Sequence, residues 1–592
     1  MAKSKGTRLT KKEIRSRLLL VFEQSQGELL NVKDLFRLIG AGNHPSKMLT
    51  LETLADLVFD DYLTTDKKGN YRHAVRDVQV IEGVFRRKKN GHNVFVPDDG
   101  GKDILVTERN SHRALDGDRV RVTMLARRRG HAREAEVTEI IQRAKDTFVG
   151  RLQVERGYGF LLTGRTLAAD IFIPRDNLKG AKDGEKVVVK IVEWPEGAKS
   201  PIGKVVDVLG AEGDNDTEMH AILAEYGLPY TYPPHVERAA EKIDPGITPE
   251  EIARREDFRQ VPTFTIDPRD AKDFDDALSI RPVGKGRWEI GVHIADVAHY
   301  VEEGGTIDRE AFDRATSVYL VDRTIPMLPE RLCNFICSLR PNEEKLAYAA
   351  IFEMNERGEV LHFHTAKTVI KSDRRFTYEE AQAIIERNGQ ASEADLATPG
   401  EHPAIDGSFE HPQGEWAREI LMLDRLAKQL REARFKAGAI GFDRPEVRFE
   451  IDEKGRPIST YIKVAKDANK LVEEFMLLAN RSVAESVAIV PKGKQPKVLP
   501  YRIHDVPDPE KMEKLRGFVA KFGYKVRTEG SKTDVSKALN NLLAEVKGKK
   551  EESVIELVAL RAMMKARYSV HNIGHYGLIF RHYTHFTSPI RR

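Results

Sequence analysis

Five aspartates lie within ten consecutive residues of the stretch TIDPRDAKDFDDALSI, which runs from Thr265 to Ile280. Apolar residues flank this acidic segment, with VPTFTI before it and ALSI after it, so the segment is attached to a hydrophobic core at both ends. Carboxylates at such spacing repel one another and resist burial unless a cation or a solvated surface offsets their charge. The segment is therefore a candidate site for a positively charged ligand.

Three interpretations compete for the cluster of Asp267, Asp270, Asp273, Asp275 and Asp276. A solvated acidic turn is the simplest, but the apolar flanks weaken it. A calcium loop of the EF-hand type fails, because the glycine that turns such a loop and its terminal glutamate are both missing. A magnesium site for phosphoryl transfer is the third, since hard divalent cations prefer carboxylate oxygens, keep water ligands and leave room for a phosphate.

A series of motifs follows the aspartates along the chain: GVHIADVAHYV (291–301), ATSVYLVDRTIPMLPE (315–330), LCNFICSL (332–339), VEEFMLLAN (472–480), YRIHDVPDPEK (501–511), YSVHNIGHYGL (568–578) and HFTSPIRR (585–592). Together with I-D-P-x-D-A-x-D-x-D-D-A, these motifs resemble the catalytic domain shared by ribonuclease II and ribonuclease R, which are 3′-to-5′ exoribonucleases. The likeness covers nearly all of residues 260–592 and keeps the order of the family. An ordered set of motifs is much more specific than one short motif.

The resemblance implies roles for the aspartates. Asp267, Asp273 and Asp276 are expected to bind metal, directly or through water. Asp275 is expected to be catalytic and to help position a second metal ion or the attacking water, so it also belongs to the metal-binding set. Asp270 lies in the motif with a less defined role, as a structural or outer group. The implied cofactor is Mg²⁺, with Mn²⁺ as an alternative.

The resemblance also assigns residues to RNA. Tyr319 in SVYL resembles the aromatic residue that packs on the terminal nucleotide and limits the length of the final product. Phe442 in AIGFDRP is its expected stacking partner and Glu474 in VEEF an expected RNA contact, while a core aromatic and a helix-surface acid remain open alternatives for these two. Arg591 in TSPIRR is the expected catalytic phosphate-binding group, because a guanidinium can clamp the scissile phosphate and stabilise charge in the transition state.

Other residues that could do chemistry are expected to be structural. Asp296 in HIADV is a weaker metal candidate than the aspartates above, and His293 and His299 are expected to support the fold. Cys333 and Cys337 in CNFIC have no Cys or His partner nearby at zinc-ligand spacing. They are therefore interpreted as buried thiols, and a framework of disulfides is excluded.

Residues 80 to 210 contain short strand-like runs broken by Gly, Asp and Pro, with an internal repeat at an offset of 67 residues. Gly83 matches Gly150, Ile104 matches Ile171, Asn110 matches Asn177, and Asp116-Gly117 matches Asp183-Gly184. The repeat predicts two tandem small β-barrels. The second copy holds RGYGFLL and DIFIP, which resemble the aromatic strands of cold-shock domains, a variety of OB-fold. Tyr158, Phe160 and Phe172 are expected to stack on unpaired RNA bases, with filling of the barrel core as the alternative.

The N-terminal pattern predicts three short helices and a polar hairpin-like tail, which together are typical of a winged helix-turn-helix. The chain is thus expected to be a multidomain α+β protein with a large α/β catalytic domain of the ribonuclease II type, ordered as in ribonuclease R. The predicted limits are 1–75 for the winged helix-turn-helix, 80–145 and 147–212 for two cold-shock-like OB-fold barrels, 213–259 for a helical linker and 260–592 for the catalytic domain, with a surface loop at 387–415.

Composition limits the classes of function. The 592 residues, 40% hydrophobic and 32% charged, indicate a soluble protein of several domains, without an apolar run of membrane-spanning length or the apolar segment of a signal peptide. A cytoplasmic location without a membrane partner is expected. The resemblance implies a monomer that binds single-stranded or 3′-tailed RNA, and the helix-turn-helix is expected to bind protein partners. The net charge of +4 does not by itself indicate a nucleic-acid binder.

The expected function is processive 3′-to-5′ hydrolysis of RNA to nucleoside 5′-monophosphates by metal-assisted attack of water, in RNA turnover and on structured RNA. Two alternatives stay open: a catalytically inactive RNA-binding relative or fragment, and a transcription regulator that uses the N-terminal helices. The intact aspartates argue against the first, and the large acidic α/β region argues against the second. The sequence ends at Arg592 inside a family motif and without the family's C-terminal S1 domain, so truncation within the catalytic domain is expected.

Overall fold

The computed structural model divides into two compact units, Met1–Leu228 and Pro229–Arg592. The described residues are 9–25, 28–59, 62–73, 80–88, 92–125, 133–163, 169–195, 197–387, 416–442, 446–452, 455–491 and 493–589. The surface loop predicted at 387–415 lies outside the described residues except for its first residue.

Three helices and a hairpin begin the first unit: α1 (Lys11–Gln24), α2 (Val32–Ile39), α3 (His44–Phe59), β1 (Leu63–Thr65) and β2 (Tyr71–His73). Thr10 starts α1 with a capping box closed by Glu13, which gives partners to amide groups that a first helical turn leaves free. Leu18, Phe22 and Leu35 are buried together between the helices. The arrangement confirms the predicted winged helix-turn-helix.

Two five-stranded β-structures follow. The first contains β3 (Val80–Arg86), β4 (His92–Pro97), β5 (Ile104–Thr107), β6 (Arg119–Met124) and β7 (Ala135–Gln142), in the sheet order β5-β4-β3-β6-β7. The second contains β8 (Thr147–Glu155), β9 (Tyr158–Leu162), β10 (Ile171–Pro174), β11 (Glu185–Glu193) and β12 (Ile202–Ala211), and closes as a barrel in the order β10-β12-β11-β8-β9. Helix α4 (Asn215–Glu225) packs against β8, β11 and β12. Two tandem OB-type barrels were predicted, and this part of the fold class is confirmed.

The 67-residue repeat is visible in the strands, since β8 and β10 begin at the positions that the repeat matches to the starts of β3 and β5. Gly83 and Gly150 hold equivalent places in this repeat. A Cβ atom on Gly83 would lie 2.2 Å from the carbonyl oxygen of Val96, and one on Gly150 would lie 2.4 Å from that of Leu162. Glycine is therefore required at both places, because only its bare Cα lets the neighbouring strand approach so closely.

The second unit is built on a seven-stranded sheet with the order β13-β20-β19-β16-β15-β14-β21. In chain order its elements are α5 (Pro234–Glu241), α6 (Pro249–Ala253), β13 (Glu256–Asp257), β14 (Thr263–Asp267), β15 (Asp276–Gly284), β16 (Arg287–Ala295), α7 (Val297–Tyr300), α8 (Thr306–Arg314), β17 (Val318–Tyr319), β18 (Thr324–Ile325), β19 (Glu344–Asn355), β20 (Val360–Lys371), β21 (Arg374–Thr377), α9 (Tyr378–Glu386), α10 (Ala417–Ala437), β22 (Glu446–Ile451), β23 (Pro457–Lys463), α11 (Asp467–Ala488), β24 (Tyr501–Ile503), α12 (Pro509–Ala520), α13 (Lys532–Val546), α14 (Glu552–Ala562) and β25 (Arg567–Ser569). Among the described residues, no helix has the length and apolar content needed to cross a membrane.

Helices cover both faces of the seven-stranded sheet. On one face, α9, α10 and α11 pack in a core that includes Phe264, Phe352 and Phe475. On the other face, α5, α8 and a short π-helix, Arg331–Ile336, pack in a core that includes Leu332. Strand β14 is buried along its whole length as a result. The sheet is thus a rigid frame, and the acidic segment joins two of its neighbouring strands.

Replacing Gly150 with alanine is expected to lower the stability of the second barrel by about 1–3 kcal/mol, because the new methyl group must displace the β9 backbone. Urea unfolding measures this change. Gly42→Ala is the matched control in the same unit, since a Cβ atom there meets nothing within 4 Å. Equal unfolding midpoints for the two variants would contradict the strand-approach argument.

Candidate active site

The acidic segment spans the ends of two neighbouring strands. Asp267 is the last residue of β14 and Asp276 is the first residue of β15. The strands are antiparallel, with Phe264 opposite Leu278, so both aspartates lie at the same end of the strand pair. The loop between them carries the other three aspartates. The sheet therefore brings together the carboxylates that the sequence placed close along the chain.

The carboxylates at this end of the strand pair have few groups that offset their negative charge. Asp267 is buried, and its Oδ2 atom has no hydrogen-bond partner. Burial raises the pKa of Asp267 well above its usual value, and the charges of Asp276 and Asp273 raise it further, while the neighbouring Thr265 hydroxyl and the Arg375 charge lower it. Burial raises the pKa of Asp276 to about 6 and also raises the pKa of Asp273, to which exposed Asp270 adds repulsion. The site therefore favours either protonation or a cation.

The donor set fits a hard divalent cation that is shared with substrate. Within the described part of the chain, no three His, Cys, Asp or Glu side chains are arranged to hold a metal ion by themselves. Mg²⁺ commonly takes one or two protein carboxylates and fills its remaining positions with water and phosphate oxygens. Asp267 and Asp276, with the unpartnered Oδ2 atom of Asp267, are the pair that suits this arrangement.

Arg375 and Ser338 hold the acidic loop in place, and the sequence analysis assigned a role to neither. The Arg375 Nη2 atom donates hydrogen bonds to the carbonyls of Pro268, at 2.6 Å, and Arg269, at 2.8 Å. The Ser338 hydroxyl donates to the carbonyl of Lys272, at 3.1 Å, and accepts from the amide of Phe274, at 3.0 Å. The Arg375 charge also lowers the pKa of Asp267 and so opposes the effect of burial. These two side chains position the aspartates.

Asp275 is partly exposed, and its backbone carbonyl accepts a hydrogen bond of 3.0 Å from Ala295 at the end of β16. Cys333 and Cys337 lie close enough for the Asp275 charge to act on their thiols. Burial, with the charges of neighbouring acids including Asp275, raises the pKa of both thiols to about 12. The two cysteines are therefore neutral near pH 7. Cys337 is buried as predicted, whereas Cys333 is partly exposed.

Asp296 and the two histidines have structural partners. Buried Asp296 accepts a hydrogen bond from the Arg255 guanidinium at 2.8 Å. His293 is fully buried between the hydroxyls of Ser279, at 2.8 Å, and Thr368, at 3.1 Å. Burial lowers the pKa of His293 to about 3, so this imidazole is neutral. His299 lies on the surface, 3.7 Å from a carboxylate oxygen of Glu251.

The residues assigned to the RNA 3′ end lie in different environments. Tyr319, in the β17–β18 hairpin, is 68% exposed, as a stacking residue must be. Phe442 is half-buried against the core formed by α12, α13 and α14. Glu474 is buried in α11, where the Arg434 guanidinium donates hydrogen bonds to both of its carboxylate oxygens. The alternative of a helix-surface acid is wrong for Glu474, because its side chain is buried and paired with Arg434. Contacts of Phe442 and Glu474 with RNA stay predictions.

Arg591 lies outside the described residues, but the segment before it is held firmly. Phe586 is buried and its ring lies 5.8 Å from the ring of Tyr348, centroid to centroid. The amide of Thr587 donates a hydrogen bond of 2.9 Å to the Oδ1 atom of Asn480, a buried residue of α11. Asn480 ends the motif VEEFMLLAN, and the sequence analysis assigned it no role.

The three aromatic residues of the second barrel form one surface cluster. The rings of Tyr158, Phe160 and Phe172 have centroids 5.6–5.7 Å apart, and none of them belongs to the buried core of the barrel. Tyr158 is 37% exposed, and the other two are partly exposed. In the first barrel, by contrast, Phe85 and Phe95 are fully buried. The cluster of Tyr158, Phe160 and Phe172 is called the aromatic surface below.

Without a divalent cation, the folded protein is expected to lose stability as the pH rises from about 4 through about 6. The pKa of Asp276 is about 6 in the folded state against a usual 3.8, so the folded state holds more protons than the unfolded state in this window. The stabilisation is complete below pH 3.8 and is lost as the pH passes the folded pKa. Thermal unfolding in EDTA at several pH values should show a steeper decline for the wild type than for Asp276→Asn. Parallel curves would contradict the assignment.

Three family models match the chain: the RNB domain over residues 255–592, the Cold shock domain over 162–233 and the Ribonuclease B OB domain over 83–140. Ribonuclease R of Thermotoga maritima is 34% identical over 565 residues, which cover 95% of this chain and 76% of that protein. The structure of Mycoplasma genitalium RNase R in complex with ribose-methylated single-stranded RNA is similar with a TM-score of 0.73 at 25% identity, covering 86% of this chain and 77% of that one.

The structure of yeast Ssd1, a pseudonuclease, is similar with a TM-score of 0.57 at 18% identity, covering 87% of this chain and 67% of that one, which shows a shared fold alone. The RNB model, by contrast, matches more than half of the chain and includes every aspartate of the acidic segment. With this match and the close likeness to the Thermotoga protein, the chain belongs to the ribonuclease R family of 3′-to-5′ exoribonucleases.

Proposed function

We propose that the acidic segment is the catalytic centre of this exoribonuclease and that it works with Mg²⁺, or Mn²⁺, to release nucleoside 5′-monophosphates processively from the 3′ end of RNA. The observation that supports this most directly is the buried, unpartnered Oδ2 atom of Asp267 beside Asp276. A carboxylate pair that is only partly compensated, at the rigid ends of two neighbouring strands, costs stability in the free protein, and a cation brought with an RNA phosphate removes that cost.

Each residue of the centre has a distinct part in this proposal. Asp267 and Asp276 hold the cation, with Asp273 as a further ligand, directly or through water. A bound divalent cation supplies Lewis acidity and lowers the pKa of a water molecule, so that hydroxide is available near neutral pH. Asp275, which is partly exposed, orients the attacking water in line with the scissile bond. Arg591 binds the phosphate and stabilises the charge that grows on it.

RNA is held by aromatic residues on both units. Tyr319 is exposed and stacks on the terminal nucleotide, while Phe442 and Glu474 act near it. The aromatic surface stacks on unpaired bases farther along the strand, because base stacking on aromatic rings is tolerant of sequence. The substrate is single-stranded or 3′-tailed RNA, including RNA with structured regions. The Mycoplasma relative was solved with single-stranded RNA, which supports this choice.

The remaining parts of the proposal concern the cell. The protein acts as a cytoplasmic monomer in RNA turnover, and its helix-turn-helix binds protein partners. Its domains have the limits predicted from the sequence, and the helical linker at 213–259 joins the barrels to the catalytic domain. The competing possibility is a catalytically inactive RNA-binding relative, of which the pseudonuclease Ssd1 is an example of similar fold.

Asp275→Asn is expected to abolish the shortening of 3′-tailed RNA in Mg²⁺ while RNA binding is kept, because the amide cannot orient the attacking water as the carboxylate does. Gel electrophoresis of end-labelled RNA measures the first effect and fluorescence anisotropy the second. Asp270→Asn is the matched control, since Asp270 is an exposed member of the same loop, and it should keep most of the activity. Wild-type protein that binds RNA but leaves it intact would favour the inactive relative.

Tyr319→Ala is expected to lengthen the final product by a few nucleotides, because the exposed ring no longer stacks on the last base. Tyr319→Phe keeps the ring and should leave the product length unchanged. Denaturing gels of the reaction end point resolve the difference. Identical end products for the alanine variant and the wild type would show that another residue sets this length.

A further inference from the structure

The hairpin that carries Tyr319 has little structure of its own. Its strands, β17 and β18, are two residues long each, and among the described residues they pair only with one another. A two-stranded hairpin is marginally stable at best by itself in water. Tyr319 is 68% exposed, so its ring adds little packing. The position of this ring must therefore be set at the base of the hairpin, where the chain enters and leaves it.

The chain enters the hairpin through a strained residue. Helix α8 ends at Arg314, and Ala315 follows it with a φ value of 62°. This left-handed conformation is costly for alanine, because its Cβ atom crowds the backbone there. A residue stays in such a conformation only when the surrounding structure holds it. The side chain of Arg314, next to the strained residue, is the first part of that structure.

Arg314 is held by its own helix and by a distant segment of the chain. Its Nε atom donates a hydrogen bond of 2.8 Å to a carboxylate oxygen of Glu310, one turn earlier in α8. Its Nη2 atom donates one of 2.7 Å to the backbone carbonyl of Thr231. The ring of Tyr232 lies against the buried guanidinium, with its centroid 3.6 Å from the Arg314 Cζ atom. A cation on an aromatic face is attracted to it most strongly when both are shielded from water.

The same segment also binds the end of the hairpin. The Tyr232 hydroxyl donates a hydrogen bond to the carbonyl of Pro326, the residue after β18. Burial raises the pKa of Tyr232 above its usual value, so the hydroxyl keeps its proton and stays a donor. The next residue, Met327, is buried, and its amide donates a hydrogen bond of 3.0 Å to the Ser317 hydroxyl. One tyrosine thus contacts both ends of the hairpin, with its ring at the start and its hydroxyl at the end.

Thr231, Tyr232 and Arg314 are called the hairpin clamp below. Tyr232 packs against the core that includes Leu332, on one face of the seven-stranded sheet. It stands two residues before Pro234, where α5 begins, and α5 packs against α8. The hairpin clamp therefore connects the exposed hairpin to the rigid part of the unit.

We propose that Tyr232 and Arg314 are positioning residues, which place Tyr319 on the terminal nucleotide and so determine the length of the final product. Both act through the hairpin, and neither contacts RNA. The inference rests on the stacking of Tyr319 in the proposed function. It gives the predicted linker, to which Tyr232 belongs, a part in recognising the 3′ end.

The first experiment examines the hairpin without RNA. Tyr232→Phe keeps the ring on Arg314 and removes only the hydroxyl that binds Pro326. Amide hydrogen exchange of residues 316–327, followed by mass spectrometry, should become about two- to tenfold faster, as expected for the loss of one hydrogen bond. Tyr300→Phe is the matched control, because Tyr300 is a half-buried tyrosine that packs against the same core, and it should leave this exchange unchanged. Unchanged exchange in Tyr232→Phe would overturn the proposal.

The second experiment examines the end products of RNA shortening in Mg²⁺ on denaturing gels. Tyr232→Phe should shift them toward the longer products of Tyr319→Ala, and so should Arg314→Lys, which keeps the charge but loses the planar stack and the forked donors. The initial rate on a long 3′-tailed RNA should stay close to that of the wild type, whereas a general loss of folding would lower it. Wild-type end products from both variants would overturn the proposal, and Tyr300→Phe should give wild-type products.

A double variant shows whether the hairpin clamp acts through Tyr319. Tyr232→Phe/Tyr319→Ala should give the same end products as Tyr319→Ala alone, because the ring that Tyr232 positions is already missing. Further lengthening would mean that Tyr232 acts by another route, against the proposal. Unchanged products from Tyr319→Ala would overturn the stacking role in the proposed function and this inference with it. Longer products from Tyr319→Ala, with unchanged hydrogen exchange in Tyr232→Phe, would overturn the hairpin clamp alone.

Discussion

The fold of the second unit depends on one constraint: carboxylates that repel each other are held at the end of two strands that cannot move apart. Strand β14 is buried on both faces, and β15 pairs with it and with β16, so Asp267 and Asp276 are fixed by the sheet and not by their own interactions. The pKa of both residues is raised in the folded state, so their ionisation destabilises the folded protein. A rigid sheet is needed to keep the two carboxylates close together against this effect. Preorganisation of this kind is what an electrostatic catalyst requires, because the groups need no rearrangement when the charged substrate arrives.

The frame is completed by side chains that reach the acidic loop from distant parts of the chain. Arg375 from β21 and Ser338 after the π-helix bind the backbone of the loop and leave the carboxylates open. Had Arg375 formed an ion pair with Asp267, it would have compensated the charge and competed with a metal ion. By binding the carbonyls of Pro268 and Arg269, it fixes the loop and acts on Asp267 only through space. The backbone is thus satisfied while the Oδ2 atom of Asp267 has no hydrogen-bond partner.

The acidic segment and its family could be predicted from the sequence, but the residues that hold its loop in place could not, for a physical reason. The apolar flanks of the acidic segment already indicated that a hydrophobic core holds it at both ends, and the order of motifs indicated the family. The bracing residues could not be found in the same way, because Arg375 meets the loop only through the pairing of β14 with β21, and no local spacing encodes which strands become neighbours. Glu474 is a second case in which tertiary packing could not be predicted from the sequence. Its place in a helix was predictable, but its burial with Arg434 depends on how α10 packs against α11.

The two barrels share the positions of their buried side chains but differ in the side chains on the opposite face of the same strands. Phe95 pairs with Ile104 in the first barrel as Leu161 pairs with Ile171 in the second, and all four side chains are buried. The neighbouring pairs, on the opposite face of these strands, are Val94 with Leu105 in the first barrel, where Val94 is still buried, and Phe160 with Phe172 in the second, where both rings are partly exposed. Because successive side chains of a strand point to opposite faces, the inward set can stay apolar while the outward set changes freely. The alternation alone did not say which face the aromatics of the second barrel occupy. That depends on the register in which β9 pairs with β8 and with β10. The pairing of these strands thus places the three rings outside the buried core of the barrel.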